Sequence, residues 1–279
     1  MKPIALVTTL HDPDGRQAPL AEPLLPAIEE TFEGVVVSAT PGSVRCTVEL
    51  LKRAGAFVLQ DGVPEGWGTI GLARRQALEV AARLGHRHVL LCDFDRLLHW
   101  LTVAPDELPA VAERVHAADF VVLGRTPSAF DSHPAVQRET ERLANHVFAL
   151  VTGQPWDITG GARGLSSAGL EAVVSHSRVA SLGVDAEWPI LLQRLGLRVE
   201  YMETEGLSFE TADRYADLIE RCGGYGAWLT RHVNTAAAWS HRLGIAHEIA
   251  RAAVEAAARK LTSAPVTGSP AVSRPPDYP

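Results

Sequence analysis

His88-Val-Leu-Leu-Cys-Asp-Phe-Asp95, continuing as Arg96-Leu-Leu-His-Trp100, is the stretch around which the chain is organised. Val89 to Cys92 is a short apolar run that reads as a buried strand, and Asp93 and Asp95 follow it at i and i+2. In an extended chain, residues two apart point to the same side, so the two carboxylates are expected to converge just past the strand end. In open α/β sheets ligands bind in that crevice. Paired hard oxygens there suit Mg²⁺ or Mn²⁺ shared with a phosphate, because Mg²⁺ takes one or two carboxylates and leaves its other positions to substrate and water. The plainer reading is a pair of solvated aspartates capping the following turn.

Outward from this stretch, strands alternate with helices. Toward the N-terminus, Pro3–Leu10, Gly34–Ala39 and Ala56–Gln60 read as strands. Helices are expected over Leu20–Phe32, from a Ser43 N-cap to Ala54, and from a Thr69 cap to Leu84. Beyond Asp95 the pattern gives a helix over Asp106–Ala118, a strand over Asp119–Gly124 and a helix over Pro134–Val151. An irregular glycine-rich stretch, Gly153–Leu165, comes next, then a loop entering a helix over Leu182–Leu195 and a strand over Leu197–Met202. This alternation calls for a mostly parallel sheet with right-handed crossovers. A helical segment over Asp213–Leu261 carries Tyr225, Trp228, Leu229, Val233, Trp239 and Leu243, which suits burial against the domain or against a second copy in a homodimer; the former is expected. The chain thus divides into a domain over 1–210, a helical C-terminal extension over 211–261 and a Pro/Ser-rich tail over 262–279 expected to be disordered.

Composition narrows the class. At 279 residues with 46% apolar and 21% charged residues, the chain is of ordinary globular type. A net charge of −7 argues against a nucleic-acid binder, which needs a basic face. Cys46, Cys92 and Cys222 are scattered and odd in number, which fits a reducing compartment and a cytoplasmic location rather than a disulfide framework or zinc site. No secretory signal or transmembrane segment is expected from the sequence.

Further residues belong with the aspartates at the carboxyl edge of the sheet. These are His11, Asp12, Asp14 and Arg16 after the first strand, Asp61 after the third, and Arg74 and Arg75 in the next helix. Arginines beside a diphosphate offer bidentate hydrogen bonds, although a helix also needs a solvated face. Later in the chain, Asp185 and Glu187 in Gly183-Val-Asp-Ala-Glu-Trp188 can accept from sugar hydroxyls or act as a general base; Asp185 can also simply cap its helix.

The order of these pieces resembles a glycosyltransferase of the GT-A fold, of the family-2-like kind, over residues 3 to 210. The matching pieces are the Asp93-Phe94-Asp95 strand end, the preceding Gly66-Trp-Gly-Thr-Ile-Gly-Leu-Ala-Arg-Arg-Gln-Ala77, the Gly-rich Asp157-Ile-Thr-Gly-Gly-Ala-Arg-Gly164 and the acidic Asp185-Ala-Glu187 opening a helix. The resemblance implies an α/β, Rossmann-like domain that takes a nucleotide-diphosphate sugar and an unknown acceptor. Asp93 and Asp95 would hold Mg²⁺ or Mn²⁺ and the diphosphate, with Glu210 or Asp213 as a further ligand. Asp61 would approach the base or ribose, Asp185 would be the acceptor-side base, and Glu187 a sugar-hydroxyl ligand. The chain departs from the family where Ser38-Ala-Thr40 replaces an acidic pair, and it lacks a Gln-x-x-Arg-Trp motif. These departures support, as the alternative, a non-catalytic nucleotide-sugar-binding relative. A haloacid-dehalogenase-like phosphohydrolase ranks lower, because no lysine occurs between Lys52 and Lys260.

Overall fold

The computed structural model describes residues 4–60, 63 and 65–260. The expected tail over 262–279 and the candidate Asp61 lie outside the described residues. The apolar run at the centre of the sequence forms a strand, β4 (His88–Leu91), in a sheet with β1 (Ala5–Leu10), β2 (Val35–Ala39), β3 (Phe57–Leu59), β5 (Phe120–Arg125), β6 (Ala162–Ser166) and β7 (Val199–Thr204). The order across the sheet is β3-β2-β1-β4-β6-β5-β7. The pairs β1–β2, β2–β3, β1–β4 and β5–β7 are parallel; β6 runs antiparallel to both β4 and β5. The chain steps outward from β1 to β2 and β3 and then returns to place β4 on the other side of β1. The carboxyl ends of β1 and β4 therefore flank a topological switch point.

Alternate residues of the inner strands enter opposite layers, as a pleated strand requires. Ala5, Val7, Val89 and Leu91 pack with Ala77, Leu78 and Ala81 of the Ile70–Arg83 helix and with Trp188 of the Val184–Arg194 helix. Leu6, Val37, Leu90 and Val121 pack into the other layer, against Leu97 and Trp100 of the Phe94–Val103 helix and Val111 and Val115 of the Leu108–Ala117 helix. Burial on both faces explains why these strands read as continuous apolar runs.

Three expectations are corrected. The chain leaves extended geometry at Asp93, which occupies the N-cap position of the Phe94–Val103 helix, so Asp95 lies in that helix's first turn and not two residues along a strand. Ser43 does not cap a helix: the Arg45–Arg53 helix starts from Val44, while Ser43 Oγ accepts from the Asp12 amide at 3.1 Å and donates to the Leu10 carbonyl at 3.2 Å. The stretch read as wholly irregular contains β6. Its Ala-Arg-Gly-Leu-Ser composition hides a strand because two of its residues answer tertiary demands. A Cβ at Gly164 would stand 2.3 Å from Val115 Cγ2, and Arg163 is a buried guanidinium that donates to the carbonyls of Ala162 and Ile158.

The Ala236–Ala258 helix packs on the Ala135–Thr152 and Val184–Arg194 helices. Its buried seam is Ile245, Ala246, Ile249, Ala252, Ala253 and Ala256, a helical spacing of i, i+4 and i+7. Leu243 and Tyr225, expected on the buried face, are 48% and 41% exposed. Among the described residues, no helix is long and apolar enough to cross a membrane. This seam makes a contrast that denaturation can read. Ile249→Ala is expected to lower the unfolding free energy by about 2–4 kcal/mol through lost burial and the cavity left behind. Leu243→Ala on the same helix is expected to stay within about 0.5 kcal/mol. Equal effects in urea melts would place the helix differently.

Candidate functional site

A cleft of about 570 Å³ opens over the carboxyl ends of β1, β2 and β4. Its floor carries Thr9, Arg74, Asp93, Arg96 and Asp185; Leu182, Ile245, Ala246 and Ile249 give it an apolar wall from the C-terminal side of the fold. A concave, partly apolar pocket with a few convergent polar groups at a switch point is the usual form of a small-molecule site.

The floor is built on one guanidinium. Arg74 is 2% exposed; its Nη2 donates to Asp93 Oδ2 at 2.8 Å and its Nη1 to Asp185 Oδ1 at 3.1 Å. The Ile70–Arg83 helix can bring Arg74 this deep because Gly71 lies against the Ala180–Ser181 backbone: a Cβ there would stand 2.5 Å from the Ser181 carbonyl oxygen. On the strand side, Thr9 Oγ1 donates to Asp93 Oδ1 at 2.7 Å, spanning the switch point between β1 and β4. On the far side, Arg163 Nη2 donates to the same Asp185 Oδ1 at 3.3 Å. Burial alone would raise the Asp93 pKa, but Arg74 and Arg96, with the Thr9 hydrogen bond, hold it below the usual carboxylate range. Burial dominates at Asp185, whose pKa stays above its ordinary value although Arg74 and Arg163 pull it down.

Asp95 faces away from this floor. Its Oδ2 meets Arg214 Nη2 at 3.0 Å, and its Oδ1 accepts from the Arg96 amide at 2.9 Å. Burial pushes its pKa up to about 6; Arg214 opposes the shift, while Glu210 and Asp93 add to it. Glu210 is buried, with Oε2 3.9 Å from Arg96 Nη1 and without a hydrogen-bond partner. Burial would raise Glu210 too, but Arg96 and His133 bring its pKa down to about 2. His133, 1% exposed, donates through Nδ1 to the Ala129 carbonyl at 3.0 Å, and its Nε2 has no partner. Burial, then Arg125 and Arg96, lower its pKa to about 4.

Arg75 and Glu187 do not line the cleft. Arg75 Nη1 donates to the Ser177 and Val179 carbonyls at 3.3 and 3.1 Å. Glu187 accepts from Ser177 Oγ at 2.6 Å, the Arg178 amide at 3.0 Å and Arg259 Nη1 at 2.9 Å. Both tie down the 177–179 segment that precedes the Val184–Arg194 helix. Of the first-loop residues, His11 lines the cleft. Asp12 instead closes its own loop, accepting from the Arg16 amide at 2.8 Å and Thr47 Oγ1 at 2.7 Å. Arg16 pairs with Asp217 at 2.6 Å, and Asp14 is exposed.

Sequence reading missed Thr9, Arg96, Arg163, Glu141 and Arg242. Arg96 adjoins the aspartates, and Arg163 sits in the glycine-rich segment, so both were in view without a chemical role. Glu141 and Arg242 join at 3.2 Å across 101 residues and leave no local signal. Behind them, Arg125 holds Asp157 through Nε at 2.7 Å and Glu141 through Nη2 at 2.7 Å, a buried network that fixes this wall.

Among the described residues, no group of three or more His, Cys, Asp or Glu side chains is arranged to hold a metal ion. In chemistry the carboxylates nevertheless fit a divalent cation shared with phosphate. They are hard oxygen donors; Asp93 lines the cleft, and Asp95 lies beside it, held by Arg214 at 3.0 Å.

No protein-family model matches the chain, and no curated protein matches it. Among solved structures, glucosyl-3-phosphoglycerate synthase from Mycobacterium tuberculosis in complex with Mn²⁺, uridine-diphosphate-glucose and phosphoglyceric acid aligns at TM-score 0.49 and 17% identity, covering 87% of this chain and 80% of that one. A second structure of that synthase gives TM-score 0.47 and 18% identity over 80% of this chain and 81% of that one. A crystal structure of a mycobacterial protein gives TM-score 0.47 and 18% identity over 80% and 75%.

The buried histidine sets a pH dependence whose sign follows from its lowered pKa. His133 stays neutral in the fold to about pH 4, whereas an unfolded histidine takes up a proton near pH 6.5. Its contribution is fully present above pH 6.5 and is lost as pH falls toward 4. Between pH 7 and pH 5 this one group is expected to remove about 2 kcal/mol of stability. Urea melts of the parent and His133→Gln at the two pH values should differ in their pH dependence by that amount. Parallel dependences would contradict the assignment.

Proposed function

We propose that the chain is a glycosyltransferase that moves a sugar from a nucleotide-diphosphate sugar to an acceptor in the cleft beyond β1 and β4. The observation that carries this reading is the Thr9–Asp93–Arg74–Asp185 chain of contacts at the switch point. It puts one carboxylate where a diphosphate would arrive and a second across a shared guanidinium. In this reading Asp93 would hold Mg²⁺ or Mn²⁺ on the cleft floor, with Asp95 joining it by exchanging Arg214 for the cation, and the metal when bound would neutralise charge on the leaving diphosphate. Arg74 and Arg96 add fixed positive charge in a poorly solvated place, where it counts for more than in water. The apolar wall at Ile245, Ala246 and Ile249 keeps bulk water from the reacting centre.

Asp185 takes the acceptor proton. Burial favours its protonated form, which brings its proton affinity nearer to that needed at neutral pH. Arg74 and Arg163 both hold Oδ1, which fixes the carboxylate and leaves Oδ2 as the accepting oxygen. The same double contact favours a second reading, a nucleotide-sugar binder without turnover, because a carboxylate shared by two guanidiniums gives up basicity. Glu187 and Arg75 act in either reading by holding the segment that presents Asp185.

Two measurements test the proposal. In a thermal-shift screen of UDP, GDP and ADP with and without Mn²⁺, at least one diphosphate should raise the melting temperature, more so with the metal, since a ligand of the folded state stabilises by mass action. Asp93→Asn and Asp95→Asn should each remove the metal-dependent part of that shift. Asp185→Asn should leave the shift in place and lower sugar transfer by about 10²–10⁴-fold, the usual contribution of a general base. Full transfer by that variant would exclude Asp185 as the base, and binding with no transfer or hydrolysis by the parent would favour the binder.

A further inference from the structure

A second cavity, of about 410 Å³, adjoins the cleft on its C-terminal side. Its walls are Phe209, Tyr215, Leu218 and Trp228, and its polar groups include Gln137, His232 and Arg242. It carries no carboxylate among its described lining residues. Arg242 lines both cavities, and Trp67 of the first meets His241 of the second edge-on at 6.1 Å between ring centroids. The two spaces are therefore neighbours across a single side chain.

Two independent features mark the second cavity as a binding site. The first is aromatic: Trp228 stands 6.4 Å from Phe209, 6.1 Å from Tyr215 and 5.8 Å from Tyr225, ring centroid to ring centroid. Grouped π faces carry negative charge and attract the weakly positive C–H face of a ring laid against them. The second is an unmet acceptor. Gln137 is 4% exposed and lines the cavity, and its buried Oε1 has no hydrogen-bond partner. Leaving a buried acceptor unpaired is costly, so a ligand that brings a donor is favoured there. A ring with an apolar face and hydroxyl donors at its rim meets both demands, and that is a pyranose.

We propose that this cavity is the acceptor subsite and that it takes a pyranose ring of a carbohydrate, with a hydroxyl donating to Gln137 Oε1 and the C–H face against Tyr215, behind which the almost wholly buried Trp228 packs. The proposal rests on the glycosyltransferase reading and adds the class of acceptor to it. Arg242, paired with Glu141 at 3.2 Å, forms the boundary across which the acceptor hydroxyl reaches the donor cleft.

The test uses the full chain with UDP and Mn²⁺, titrated with methyl glucoside, methyl galactoside, methyl mannoside and maltose. Phenol and 3-phosphoglycerate serve as counter-probes, and binding is read by calorimetry. At least one saccharide should bind saturably, with Kd raised at least tenfold in Gln137→Leu and in Tyr215→Ala. Gln137→Glu, which keeps the acceptor oxygen, should retain binding within about threefold. Unliganded melts check that each variant folds, and Tyr215→Ala reads the site should Gln137→Leu fail to do so. Saccharide binding that both loss variants leave unchanged overturns the proposal, as does binding by phenol or 3-phosphoglycerate alone, or by no probe at all. The UDP thermal shift in the same samples reports on the donor cleft separately. Its presence without saccharide binding removes the acceptor subsite and spares the donor reading; absence of a shift with UDP, GDP and ADP alike removes the donor reading.

Discussion

Arg74 donates to Asp93 and to Asp185 from a side chain that is almost wholly buried, and the geometry of the cleft follows from that double contact. A guanidinium taken out of water must meet carboxylates with good geometry, or the desolvation penalty goes uncompensated. Here the two carboxylates come from different parts of the fold, one after β4 and one at the start of the Val184–Arg194 helix. The ion pairs therefore fix how the late helices sit on the early strands. Thr9 extends the tie to β1, and Arg163 to β6. Five elements distant in sequence are drawn to one point by charge and by the Thr9 hydroxyl.

Around that point the charges alternate. Arg214 faces Asp95, Arg96 stands near Glu210, Arg125 holds Glu141 and Asp157, and Arg242 reaches Glu141. Most of these groups are largely buried, so each carboxylate's protonation is set by the balance between burial and its nearest guanidinium. That balance separates Asp95 at about 6 from Glu210 at about 2, and the Glu210 charge adds to the Asp95 shift. Asp95 takes its counter-charge from Arg214, whereas Asp93 on the cleft floor takes it from Arg74.

The C-terminal helix has two tasks. Ile249 is part of the apolar seam on the Ala135–Thr152 and Val184–Arg194 helices and also walls the cleft. Arg242, less than two turns earlier, turns its charge toward Glu141 and separates the two cavities. Stability and site construction are thus carried by successive turns of one helix, so changes in its packing reach the cleft directly.

The sequence by itself determined the alternation of strands and helices, the central position of β4 and an acidic group at its carboxyl end. Those features are written in local apolar runs and helix stops, which depend on residues a few positions apart. It also brought Asp93, Arg74 and Asp185 forward as members of one site, because strand ends in such folds converge. It did not show β6, whose Gly164 and Arg163 suit a strand only when Val115 and Asp185 are already in place. Nor did it separate Arg74 from Arg75, and it kept Glu187 at the site as a sugar-hydroxyl ligand behind Asp185: neighbours in sequence on one helix point to different surroundings, and only the packed helix decides which meets the cleft. Asp93 and Asp95 parted for the same reason, since a helix beginning at Phe94 turns the second carboxylate toward Arg214. Long-range electrostatic partners carry no periodicity, so tertiary structure alone decided which charges meet.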